Sequence, residues 1–304
     1  SFMSSVLFSV LGIYIFIAVG FIAKMSFKQK IDDRTITLLS VYFLQVFLTF
    51  WGLLKRPIDA TLLMAPSLYL LIVMLGLIIS WVLARRLFHD AKERSIATVA
   101  ALIGNTGNLG IPLGIALFGE QSIPYTTLIN LVNVFVVYTI GVYFYSRGEF
   151  TVKSSLLNIV KLPILWAALM AIGLNLYGYI PNQTVETTLQ MGAYASMVLQ
   201  LLLFGIYLYG TKIHVMNRIL ISWVVSVKFL LLPLIAYIVL ISIDIDPMIK
   251  SILLLELMVP LAVANVNLAS LYNCRPKDTT ALVFITSLLF LAIIFIAIHI
   301  MQTF

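Results

Sequence analysis

Charge is what this sequence has least of. Asp, Glu, Lys and Arg make up 10% of its 304 residues against 62% hydrophobic, and mean hydropathy is +1.09. Soluble globular domains carry roughly a quarter charged residues, so water is excluded as the solvent for most of the chain. Cysteine is nearly absent: Cys274 stands alone, which excludes an intramolecular disulfide and a thiolate metal cluster. The histidines, His89, His214 and His299, are scattered and imply no metal site. GxSxG, HExxH and Walker sequences are missing as well, so no catalytic residue is assigned and an enzyme is not expected. The net charge of +7 reads as basic residues held at one membrane face, not as a nucleic-acid surface.

What the chain does have is apolar runs of about 20 residues, the length that crosses a bilayer. The expected spans are 4–23, 34–54, 61–84, 95–118, 123–145, 154–177, 188–210, 217–243, 248–272 and 278–301. That is an all-α membrane protein of about ten helices. About 14 of the 19 Lys and Arg residues fall in the odd-numbered connections, whereas the even ones hold only Lys55, Arg56 and Lys250. The positive-inside rule therefore puts the odd connections in the cytoplasm and both termini outside. Pro260 follows Pro112 by 148 residues, and the sixth span starts about 150 residues after the first. The chain thus divides into a first five-helix repeat, 1–150, and a second, 151–304. An odd number of spans per repeat forces inverted topology.

Span four contains Ala101–Phe118, ALIGNTGNLGIPLGIALF, with Gly104, Gly107, Gly110 and Gly114 beside Asn105, Asn108 and Pro112. Close helix packing accounts for the glycines. It requires neither the amides nor a proline, which lacks an N–H and collides with the carbonyl four residues back. Span nine carries a second interruption between Glu256 and Asn267, around Pro260. Broken helices at matching positions of two halves point to a carrier's binding site. Unwinding leaves a half-helix N-terminus with free N–H groups and partial positive charge, which suits a carboxylate without a buried arginine. Asn105 and Asn108 are the expected amide contacts. Glu256 and Lys228 are the charged side chains placed well inside the bilayer. They read either as a self-neutralising ion pair or as a site for a coupled proton or Na⁺. Gln45, Asn130, Asn133, Asn175 and Gln200 each read as cavity-facing or as interhelical glue.

Two segments carry a family resemblance. One is Gly104-Asn105-Thr106-Gly107-Asn108-Leu109-Gly110-Ile111-Pro112. The other runs from Pro260-Leu-Ala-Val-Ala264 through Leu271-Tyr272-Asn273 and Pro276–Asp278 to Thr286-Ser287-Leu288. Together they resemble the auxin efflux carrier family, which includes plant exporters and bacterial organic-acid permeases. The resemblance implies two inverted five-helix repeats with crossed, broken helices four and nine, elevator-type alternating access, small organic anions as substrates, and a homodimer. It places Asn105, Pro112 and Pro260 at the crossover and extends substrate contact to Asn108 and Asn265. Only about ten residues join the halves, which favours a bacterial-type permease of the inner membrane. No cofactor is implied, and H⁺ and Na⁺ both stand as coupling ions. Two alternatives stay open: a sodium-coupled symporter of the bile-acid-symporter type, and a non-transporting ligand-binding membrane sensor.

Overall fold

The computed structural model describes residues 2–213 and 217–304, and His214 lies outside them. Among the described residues the chain is helical and has no named strand. In chain order the helices are α1 (Ser4–Lys30), α2 (Asp33–Leu53), α3 (Ala60–Leu87), the two-part α4 (α4a, Ala91–Val99; α4b, Gly110–Phe118) and α5 (Glu120–Tyr145). There follow the two-part α6 (α6a, Val152–Val160; α6b, Pro163–Tyr177), α7 (Gln183–Gly210), α8 (Arg218–Ile241), the two-part α9 (α9a, Pro247–Met258; α9b, Ala264–Leu271) and α10 (Pro276–Met301). The 7 unbroken helices are each long and apolar enough to cross a membrane, and the α6 pair passes the same test with a 74° bend. With α4 and α9 this layout is compatible with ten spans.

Proline chemistry sets the breaks. The sequence predicts a span over 154–177, and Pro163 disfavours α geometry at the residue before it. Leu162 is accordingly extended, with φ −82° and ψ 120°, and α6 bends there. The same rule ends α9a: Val259, preceding Pro260, has φ −54° and ψ 146°. In α4 the interruption is wider and owes more to glycine. Gly104, Asn105 and Gly107 are poor helix formers, and regular helix resumes only at Gly110. Pro112 therefore falls in the first turn of α4b, where its missing N–H would have had no intrahelical partner. The collision expected with the carbonyl of residue 108 does not arise.

The chain forms two compact units. The first comprises Ser1–Leu63, Gly107–Leu128 and Ile159–Thr211. In it α1 and α7 approach backbone to backbone: a Cβ on Gly20 would overlap the Leu202 carbonyl, and one on Gly205 that of Ile17. Small residues at the contact are how membrane helices pack closely. A buried cluster of Leu48, Trp51, Ile111, Ile123, Ala193 and Met197 fills its interior. Asn175 Nδ2 donates to the carbonyls of Leu53 (2.7 Å) and Arg56 (2.6 Å), so this predicted intramembrane amide closes the α2–α3 connection.

The second unit comprises Met64–Thr106, Ile129–Asn158 and Lys212–Phe304. Arg275 ties one end of it together, 3.0 Å from Glu93 and 3.6 Å from both Asp90 and Asp278. Asn217, the N-cap of α8, donates to Glu93 Oε1 at 2.7 Å. The two stretches that pair, 103–106 and 259–263, belong to this unit, whereas the rest of the α4 interruption, 107–109, belongs to the first.

Candidate functional site

The two interruptions pair with each other. Gly104 and Leu261 form an antiparallel bridge, the Asn105 N–H donates to the Pro260 carbonyl at 2.8 Å, and the Ala262 N–H donates to the Ile103 carbonyl at 3.0 Å. Two helices that each lose their ladder for a few residues thus satisfy part of the loss by bonding to one another. Backbone groups away from water need such partners.

Side chains complete the crossover. Asn265 is 0% exposed; its Nδ2 donates to the Ile103 carbonyl at 2.9 Å and to the Ala262 carbonyl at 3.0 Å, and its Oδ1 accepts from Tyr145 Oη at 2.7 Å. Asn133 Nδ2 donates to the Gly104 carbonyl at 3.0 Å and its Oδ1 accepts from Tyr69 Oη at 3.4 Å. Thr106 Oγ1 donates to Asn130 Oδ1 at 3.1 Å, and the Leu261 N–H donates to Thr286 Oγ1 at 3.2 Å. The amides at 130, 133 and 265 are therefore pins that hold the unwound segments open. Asn105 differs: it is 7% exposed, and its side-chain amide makes no hydrogen bond to a described residue.

The charged pair lies against this crossover. Lys228 sits on a π-helical turn of α8, Val227–Leu231, a widened turn frequent at functional sites. Its Nζ donates to the Ala101 carbonyl at 3.2 Å, and a Cβ on Gly104 would lie 2.9 Å from that Nζ. A side chain at 104 would push the ammonium aside and, on the other side, crowd Val259. Glu256 is wholly buried in α9a, on which the Lys228-bearing turn of α8 packs, and neither of its carboxyl oxygens has a hydrogen-bond partner among the described residues.

Of the residues expected from sequence, the structure brings Asn105, Pro260, Asn265, Lys228 and Glu256 into one unit around the crossover. Asn108 and Pro112 belong to the other unit, Asn108 exposed and Pro112 buried. Gln45 is half-buried in α2, and Gln200 donates to Ser196 Oγ at 3.1 Å within α7. Sequence reasoning did not single out Tyr69, Tyr145 or Thr106. Their only signal is a hydroxyl inside an apolar run, the same signal that many merely packed residues give.

Among the described residues, long apolar helices accompany two broken ones that pair at a polar crossover. The chain belongs to the membrane transport protein family, the auxin efflux carrier family of the resemblance above, whose profile matches residues 5–298. It is similar to a protein of Methanocaldococcus jannaschii described as the uncharacterized transporter MJ1031, at 25% identity over 297 residues, covering 94% of this chain and 95% of that one.

Proposed function

We propose that this protein is a secondary carrier of small organic anions, mono- or dicarboxylates, working by elevator-type alternating access. The observation that carries the reading is the antiparallel pairing of the two interruptions at Gly104 and Leu261. Around it lie Asn105, 7% exposed, whose side-chain amide makes no hydrogen bond to a described residue, and a buried ammonium, Lys228. A carboxylate takes the Asn105 amide as donor and is drawn by the ammonium and by the partial positive charge at the start of α9b. Asn265 and Asn133 position the segments and do not contact the anion. The paired stretches 103–106 and 259–263 lie in one compact unit, which suits that unit as the body that carries substrate. The distribution of basic residues supports a cytoplasmic location for the Asp90–Arg275 end and an outside location for both termini.

Thermal unfolding of the purified chain across a panel of small carboxylic acids tests the reading without a membrane. A ligand at about 100 times its Kd stabilises the folded state by about 2.7 kcal/mol. At least one acid raises Tm in the wild type, and Asn105→Ala loses that rise while keeping the unliganded Tm within a few degrees. A panel that leaves Tm unchanged throughout contradicts the reading.

A further inference from the structure

Beside the crossover lies an acid that the anion-binding reading leaves unused. Glu256 is 0% exposed, two residues before the end of α9a, and neither carboxyl oxygen has a hydrogen-bond partner among the described residues. Lys228, 2% exposed, sits on the α8 turn that packs on α9a, and at the crossover it bonds the Ala101 carbonyl and packs on Gly104. Tyr69, from α3, is a further buried titratable group at the crossover, bonded to Asn133. The helices packed on α9a are α8 and α10. Their remaining ionisable side chains, Arg218, Tyr237, Lys277, Asp278 and His299, sit at or near helix ends.

A charge removed from water is tolerated when it is paired and hydrogen-bonded, and is otherwise discharged by a proton. A hard metal cation would need several oxygen ligands and would meet the Lys228 ammonium; a proton needs neither extra ligands nor an unopposed site. We infer that Glu256 is a proton-binding site linked through Lys228 to the crossover. A proton from water forms an O–H bond with a carboxylate oxygen, the same bond breaks on release to water, and no other bond changes. With Glu256 ionised, its charge cancels that of Lys228. With Glu256 protonated, the ammonium's charge is left to the crossover, and an anion there is favoured. Coupling of this kind is reciprocal: the proton strengthens anion binding and the anion strengthens proton binding by the same factor. This linkage rests on the anion-carrier reading, whereas the proton site itself does not.

Infrared spectra of the purified full chain, wild type minus Glu256→Gln, read the carbonyl stretch of the protonated acid through a pH titration, with and without malonate as the probe anion. The acid band is expected at the low-pH end and disappears as pH rises. Malonate moves that disappearance upward by about one pH unit for each tenfold of coupling, and Lys228→Met removes the malonate shift. No acid band at any pH at which the protein stays folded overturns the proton site. A titrating band that ignores malonate, in a protein that transports malonate, overturns the linkage. A titrating band in a protein that transports no carboxylate leaves the proton site standing and removes the carrier reading instead. Should Glu256→Gln not fold, Glu256→Asp serves as the second variant, displacing the band where Gln would delete it.

Discussion

Asn265 uses its whole side-chain amide to hold the crossover, with Tyr145 on one end and two backbone carbonyls on the other. Asn265→Ala orphans buried groups on both sides, which costs on the order of 3 kcal/mol, and thermal unfolding in detergent should show a correspondingly lower Tm. Thr286→Val is the milder counterpart: it keeps shape but strands the Leu261 N–H, for a loss of about 1–3 kcal/mol. Cys274 gives a control of a different kind. It is fully buried in the α9b–α10 connection, and burial, outweighing Arg147 nearby, pushes its thiol up. Thiolate is the reactive form, so a maleimide at neutral pH should label the unfolded chain and leave the folded one unlabelled, as mass spectrometry of the intact protein would show. At this scale the sequence was half legible. Asn130, Asn133 and Asn265 stand out because an amide in lipid needs a reason. The partners do not, because Tyr145 lies 120 residues from Asn265 in the chain and nothing local marks it.

At the scale of the element, the breaks were readable where proline made them and less so where glycine did. Pro260 favours an extended Val259, and α9a accordingly ends at Met258. Pro163 produces the α6 bend by the same rule, and that bend was overlooked because the flanking apolar run is continuous. In α4 the sequence pointed to Pro112, whereas the unwound stretch precedes it and Pro112 merely opens α4b. Pro260→Ala should allow helix to grow into the gap and lower uptake at least tenfold in vesicles, with little change in Tm. The N-terminus of α4a offers a pH handle outside the bilayer. Asp90 caps it, accepting from the N–H groups of Lys92 and Glu93. The Glu93 N–H, then the Arg275 guanidinium and the Lys92 N–H, hold its carboxyl below the usual carboxylate range despite some desolvation. A value depressed on folding contributes stability above the unfolded value and loses it as pH falls through the folded one. The stability gap between wild type and Asp90→Ala, about 1 kcal/mol at neutral pH, should therefore close at acid pH.

For the whole molecule, the linear and spatial divisions differ. The sequence suggests two successive repeats of five helices, while each compact unit gathers segments from both halves. Inverted repeats are read from spacing along the chain; compact units depend on contacts between residues far apart, which spacing does not encode. That the two stretches which pair, 103–106 and 259–263, fall in one unit is what joins fold to function here. The most direct measurement is uptake of radiolabelled small carboxylates by proteoliposomes containing the wild type or Asn105→Ala. Saturable uptake of at least one acid by the wild type, cut at least tenfold by the substitution in a protein that still folds, is the predicted result. Uptake that is absent for every acid, or identical in the two proteins, would contradict an anion site at the crossover.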